Sequence, residues 1–168
     1  GVAGALDHAG GGAKGFWFTT INDAPLRGIC GSGLIDLVSW LRRCTSMAET
    51  GYLSLPDDQE VFHPAPDFQV GLDQADIRQL QLAKGAIAAG IAVLCQRAGI
   101  TVEDITRVHL AGGFGTFIRA DSALDIGLLP PALRGKIKAV GNTALKGALQ
   151  AISCDGAFNE CNRIAKSI

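Results

Sequence analysis

Stretches rich in β-forming residues alternate with helical patterns along the chain, which predicts strands and helices in turn. An extended stretch at 2–8, glycines at 10–12 and β-forming residues at 16–21 predict a hairpin at the start of the chain. A glycine turn at 28–33 then opens a helix at 32–43, whose apolar residues share one face. The order of strand, glycine turn and helix is typical of α/β proteins.

The middle of the chain combines a loop with one long helix. Residues 45–72 mix short apolar and acidic pieces, which predicts a loop with a short edge hairpin around Tyr52 and Phe62. Asp73 is a favourable N-cap for a helix that ends near Ala98. This is the longest element that the pattern predicts.

The most apolar part of that helix, residues 85–95, lies between Lys84 and Arg97. It is shorter than the ~20 apolar residues that a membrane-spanning helix needs. We therefore predict a buried core helix and no contact with a membrane.

The second half of the chain repeats the alternation. A buried strand at 107–111 runs into glycines 112–115, and a second strand at 136–140 ends at Gly141. A Thr101–Asp104 capping contact precedes the first of these strands. Short helices are predicted at 122–128, 144–153 and 156–166. We predict one α/β domain over residues 1–168, with at least part of its sheet parallel.

Composition narrows the class of protein. With 48% hydrophobic and 18% charged residues in 168, the chain can bury a core and is not disordered. Its 15 basic and 16 acidic residues give a net charge of −1, without the basic excess that phosphate-backbone binding requires. Nucleic acid is therefore excluded as a partner.

Five widely spaced cysteines predict reduced thiols in a cytoplasmic protein, because their number is odd and they form no C-x-x-C pair. Cys30 lies at a predicted helix N-terminus. Cys154 and Cys161 would share a face if one helix spanned both. An iron–sulfur cluster needs closer spacing, so we predict no metal in this chain.

Histidines and acidic side chains are weaker candidates for chemistry. His8 and His63 look isolated, and His109 is interpreted as a core histidine because it lies in a predicted strand. Asp36 and Asp125 could orient a loop or a cation, but ordinary surface positions on helices explain them as well. No catalytic residue is assigned from these patterns.

Three glycine turns, at 28–33, 112–115 and 141, each follow a predicted strand. Ligands of α/β proteins collect at the carboxyl ends of strands, and a turn that opens a helix offers N–H groups to an anion. The alternative is that each glycine only supplies a positive φ or close packing. No P-loop is present.

Several longer segments resemble one family, the reductive activators of corrinoid enzymes, which are iron–sulfur proteins with an ASKHA-type ATPase domain (acetate and sugar kinase, Hsc70, actin). The segments cover nearly the whole chain in order: 27–36 (RGICGSGLID), 76–84 (DIRQLQLAK), 109–115 (HLAGGFG), 122–130 (SALDIGLLP) and 140–143 (VGNT). The resemblance implies an actin-like, ribonuclease H-like α/β subdomain with a mixed sheet and flanking helices.

The resemblance also implies an activity for the longer protein. Such activators use ATP, with Mg²⁺, to drive the reduction of a Co(II) corrinoid to Co(I), with electrons from a [2Fe–2S] domain. The implied partner is a corrinoid protein or a corrinoid-dependent methyltransferase, and a homodimer is an open alternative. The family's Asp-x-Gly phosphate-binding hairpins and ferredoxin domain match nothing in this sequence. It therefore looks like the C-terminal, nucleotide-side subdomain, inactive as an ATPase alone.

Two glycine turns carry the implied nucleotide site. The turn after the second-half strand would face the nucleotide, and the turn that opens the first helix would lie at the same edge. Two other functions stay open, a small-molecule kinase of the same superfamily and a non-catalytic module that docks a corrinoid protein. The implied nucleotide-binding residues are Gly31, Ser32, Gly33, Gly112, Gly113, Phe114, Gly115 and Asn142.

Overall fold

The β-forming residues at the start of the chain pair as the predicted hairpin in a computed structural model, which describes residues 1–12, 15–56 and 59–167. Strand β1 (Ala5–Gly12) is antiparallel to β2 (Gly15–Thr20). Strand β3 (Gly28–Ile29) joins the other edge of β1 in parallel, so the strand order is β2-β1-β3. This small sheet is mixed, and it confirms the predicted hairpin.

Helix α1 (Gly31–Arg43) lies across β1 and agrees with the predicted helix. Its Leu37 and Leu41 are fully buried and belong to the main hydrophobic core with Leu6 of β1. Gly33 lets the helix approach the strand, because a Cβ at this position would lie 2.2 Å from the carbonyl oxygen of Leu6. The burial of aliphatic side chains between helix and strand stabilises this half of the chain.

The segment before the long helix forms a short hairpin with a different partner from the one predicted. Strand β4 (Val61–Phe62) pairs antiparallel with β5 (Leu72–Asp73), so the partner of Phe62 is Leu72 and not the region of Tyr52. The residue after Tyr52, Leu53, makes an isolated bridge with Met47 instead. The prediction of a hairpin around Phe62 is right, and its assumed partner strand is wrong.

Helix α2 (Gln74–Ala98) has the predicted start and end. Asp73 caps it through a bond from the N–H of Asp76, and the side chain of Asp76 accepts from the N–H of Asp73 in return. Gly99 ends the helix in the left-handed conformation, with φ at 67°. Local capping therefore fixes both ends of α2.

The prediction that α2 is a buried core helix is wrong. Of its side chains only Ile77 and Cys95 are buried, whereas Leu82 and Leu94 are each 68% exposed. Apolar residues surround the helix, but the described elements of this chain cover one narrow side of it. By length and composition α2 is also apolar enough to cross a membrane, a test that core helices of soluble proteins pass as well.

The second half of the chain forms a two-stranded parallel sheet with helices around it. His109 is exposed, and the prediction of a core histidine is wrong because no described element covers its face of this narrow sheet. Cys154 and Cys161 do not share one helix, since Cys154 ends one and Cys161 lies in the next. The elements are β6 (Val108–Ala111), α3 (Gly112–Phe117), α4 (Ala120–Asp125), a 3₁₀ turn (Pro131–Leu133), β7 (Ile137–Gly141), α5 (Thr143–Ser153) and α6 (Ala157–Ala165).

The predicted contact between Thr101 and Asp104 stabilises the turn before β6. The backbone N–H and the hydroxyl of Thr101 donate to Oδ2 of Asp104 at 2.8 and 2.9 Å. These bonds hold the pKa of Asp104 below its usual range. The carboxylate therefore stays ionised, and the turn stays bonded, to lower pH than an unbonded aspartate would allow.

Removing the N-cap of α2 tests this account of the helix ends. We expect Asp73→Ala to lower the free energy of unfolding by about 1 kcal/mol, because it leaves the N–H of Asp76 without a partner. Asp121→Ala is the control, since it removes an equal charge from an exposed ion pair with Arg134 and should cost less than about 0.5 kcal/mol. Urea unfolding compares the two, and equal losses would contradict the assigned capping role.

Candidate functional site

Gly112–Gly115 follow β6 directly and form the first turn of helix α3. Asn142 follows the neighbouring strand β7 and caps α5, with its Oδ1 accepting from the N–H of Leu145 at 3.0 Å. Because β6 and β7 are parallel, the two segments lie at the same edge of the sheet. The structure thus brings together five of the residues implied by the sequence, while the side chain of Phe114 lies outside the described part.

The three glycines of this turn differ in what the fold requires of them. Gly112 has a positive φ of 81°, and a Cβ on Gly115 would lie 2.5 Å from the carbonyl carbon of Leu110. Gly113 has neither property: its φ is not in the left-handed region, and a Cβ there would meet no described atom within 4 Å. The fold therefore explains the glycine at 112 and at 115, but not at 113.

The turn that opens α1 follows β3 and therefore belongs to the other sheet, so the prediction that it lies at the same edge as Gly112–Gly115 is wrong. Cys30 is the N-cap residue of α1 and makes no side-chain capping bond. The hydroxyl of Ser32 donates to the carbonyl of Asp7 at 3.0 Å, and Gly33 lies against β1. Ser32 and Gly33 are thus used within the fold, and exposed Gly31 is the most accessible residue of the three.

A cavity of about 590 Å³ lies beside this turn, between the start of α1 and the first half of α2. Its volume is in the range of small-molecule sites. Arg27 and Gly31 line one side, Asp76 and Leu80 line the other, and the wall between them is mostly apolar. The cavity therefore places an apolar wall next to a guanidinium, a carboxylate and a helix N-terminus.

A buried polar stripe on α1 was not found by sequence reasoning. Asp36 is fully buried, with its Oδ2 3.1 Å from Nδ1 of His8, so His8 is not isolated and Asp36 is not a surface residue. One turn further, the buried hydroxyl of Ser39 donates to Oδ2 of Asp125 at 3.1 Å. The signal was present in the sequence, because Ser32, Asp36 and Ser39 recur with the spacing of one helix face.

Metal chemistry has little support in the described part of the chain. Among those residues, no group of three or more His, Cys, Asp or Glu side chains is placed to hold a metal ion. Cys30 is half-buried, and its sulfur lies 3.2 Å from the hydroxyl oxygen of Ser32. The site is built from backbone turns and one cavity rather than from ligating side chains.

Comparison with known proteins assigns the chain to a family. A family model described as the C-terminal domain of RACo, the ASKHA domain, matches residues 4–168. A solved structure of a reductive activator for corrinoid, iron–sulfur protein superposes with a TM-score of 0.83 at 31% identity, over 98% of this chain and 29% of that one. The predicted fold class, an ASKHA-type α/β domain, is confirmed.

Two curated relatives carry related names. The corrinoid activation enzyme RamQ of Eubacterium limosum is 28% identical over 99% of this chain and 32% of its own length. A protein of Methanosarcina barkeri, named as the reductase of the Co(II) methylated amine-specific corrinoid protein, is 26% identical over 84% of this chain and 25% of its own. The chain thus spans about a third or less of the proteins that it matches.

Proposed function

Because the chain belongs to the family of RACo C-terminal ASKHA domains, we propose that it is the nucleotide-side subdomain of a longer reductive activator of corrinoid proteins. The names of its relatives, which describe corrinoid activation and the reduction of a Co(II) corrinoid protein, support this role. In the proposed reaction one electron from a [2Fe–2S] domain reduces Co(II) to Co(I). Hydrolysis of ATP to ADP and phosphate, with Mg²⁺, supplies the free energy through a conformational change.

The open backbone of Gly113 is the observation that carries the nucleotide assignment. It lies at the carboxyl ends of two parallel strands, where α/β proteins bind ligands. Its missing side chain has no packing reason among the described residues, so a close approach by adenosine accounts for it. Gly112, Phe114, Gly115 and Asn142 would complete this side of the site.

The turn at 31–33 is proposed as a second contact to the same nucleotide. Gly31 is exposed at the start of a 13-residue helix, whose first N–H groups can donate to an anion. The mostly apolar cavity and the guanidinium of Arg27 beside it favour an anion with an apolar part. Ser32 and Gly33 would act by setting the position of this turn, since both contact β1.

The proposed partner is a corrinoid protein or a corrinoid-dependent methyltransferase. A cytoplasmic location and a homodimer remain predictions of the sequence.

One observation favours the alternative of a docking module: α5 and α6 expose large apolar side chains, with Ile152 85% and Phe158 67% exposed. Nothing comparable favours a small-molecule kinase, which would need a base for the acceptor group.

We expect the purified 168-residue chain to bind ATP weakly and to release no phosphate above background. The glycine turns supply part of a binding site, whereas stabilisation of the transferred phosphoryl group needs further charged groups. Calorimetry with MgATP, MgGTP and adenosine measures binding, and a phosphate-release assay measures turnover. Robust hydrolysis by this chain would overturn the proposal that it is one subdomain of the nucleotide site.

A further inference from the structure

The helices that begin with the two glycine turns meet at one buried carboxylate. Helix α1 begins at Gly31, α3 begins at Gly112, and the two helices are in contact. Asp36 lies in α1 and its side chain is 0% exposed. Arg119 comes two residues after the end of α3, and its Nη1 lies 4.0 Å from Oδ2 of Asp36. A single carboxylate therefore joins the segments that carry the two turns.

The same carboxylate fixes α1 to the first sheet. Oδ2 of Asp36 is 3.1 Å from Nδ1 of His8 in β1. The two residues that precede His8 contact Ser32 and Gly33 at the start of α1. Three successive residues of β1 thus hold the first two turns of the helix, and the contact made by Asp36 is the one that also reaches the end of α3.

Local packing does not account for this aspartate. Its Oδ1 is buried and accepts no hydrogen bond from any residue in the described part of the chain. A buried carboxylate with an unsatisfied oxygen lowers stability, and apolar residues of similar size usually serve a core position better. Asp36 lies where β1, α1 and the end of α3 meet, and this position gives a reason for an aspartate rather than an apolar residue.

We propose that Asp36 is a positioning residue, which holds the turns at Gly31 and Gly112 in one arrangement so that both contact the same nucleotide. This inference rests on the proposed function. Two turns on separate sheets can bind one ligand together only if their spacing is fixed, and a displacement of about 1 Å in such a site can cost about 100-fold in activity. Asp36 acts through His8 and Arg119 and does not itself touch the nucleotide.

Amide chemical shifts of the ¹⁵N-labelled 168-residue chain, titrated with MgATP, test the proposal. In the wild type, the amides of both turns are expected to shift with one common Kd. Asp36→Asn preserves size and removes charge, and we expect it to give different Kd values at the two turns or to weaken both at least fivefold. Asp125→Asn is the matched control, because Asp125 also bonds to α1, through Ser39, and should leave one common Kd within twofold of the wild type.

The outcomes separate this inference from the proposed function. If Asp36→Asn shows the wild-type Kd at both turns, the positioning role is overturned and the nucleotide site stands. If the wild type shifts at neither turn, the nucleotide site itself is overturned, and the positioning role falls with it. Should Asp36→Asn fail to fold, His8→Gln removes the partly exposed partner instead, and an unchanged common Kd in that variant overturns the proposal.

Discussion

Gly33→Ala is expected to lower the free energy of unfolding by about 3 kcal/mol, at the upper end of the cost of overpacking a core. The added Cβ would lie 2.2 Å from the carbonyl oxygen of Leu6 and 2.5 Å from its Cδ2. Leu6 is fully buried in the main core, so neither the strand nor the side chain can move without disturbing other contacts. The start of α1 would have to move away from β1, with the loss of the Ser32 and Asp36 bonds.

Urea unfolding of Gly33→Ala and Gly28→Ala measures this effect against a matched control. Gly28 lies five residues earlier, in β3, and a Cβ there would meet no described atom within 4 Å. We expect Gly28→Ala to change the free energy of unfolding by less than about 0.5 kcal/mol, as is usual for substitutions away from the core. A loss at Gly33 no larger than that at Gly28 would contradict the close packing of α1 on β1.

Elements with strong local signals were predictable from the sequence. Helix α2 begins at Asp73 and ends before Gly99 because a capping pair and a left-handed glycine fix these points within a few residues of the chain. The hairpin β1–β2 and helix α1 were predictable for the same reason, since their patterns need no distant partner. The pairing of Phe62 with Leu72 was not predictable, because short strands depend on contacts across a loop.

Burial was predicted less well than secondary structure. The apolar sequence of α2 indicates a helix that is covered on most sides, yet Leu82 and Leu94 are largely exposed in this chain. His109 shows the same effect on β6, which has one neighbouring strand among the described residues. The apolar pattern of a helix or strand shows which of its faces needs to be covered. It does not show whether the covering residues belong to the same 168 residues.

The candidate site was likewise predictable from the sequence only in part. The sequence shows the glycine turns at 31–33 and 112–115, because glycine followed by a helix is a local signal. It does not show that Ser32 and Gly33 contact β1, or that Asp36 meets His8, since these contacts join residues 25 to 28 positions apart. The spacing of Ser32, Asp36 and Ser39 is the only local signal of the buried polar stripe on α1.

Gly113→Val is expected to weaken ATP binding by about 5- to 150-fold, the equivalent of roughly 1–3 kcal/mol. The proposed reason is that the nucleotide approaches the backbone at this point, so that any side chain would obstruct it. The fold itself tolerates a side chain there, because the φ is ordinary and a Cβ meets no described atom within 4 Å. Binding should therefore suffer before stability does, which is the reverse of the result expected for Gly33→Ala.

The experiment compares Gly113→Val with Gly90→Val, which introduces the same side chain at an equally open glycine of α2. ATP affinity is measured by the amide-shift titration of this chain, and the rate of ATP-dependent Co(II) reduction is measured in an intact activator with the same substitutions. We expect the ATP affinity and the reduction rate both to fall for Gly113→Val. For Gly90→Val we expect both to stay within about twofold of the wild type, which corresponds to less than about 0.5 kcal/mol. Gly113→Ala, with its smaller side chain, should lie between Gly113→Val and the wild type. If the melting temperature of Gly113→Val is unchanged and its ATP affinity is that of the wild type, the turn has no role in binding, and the nucleotide must contact this domain elsewhere.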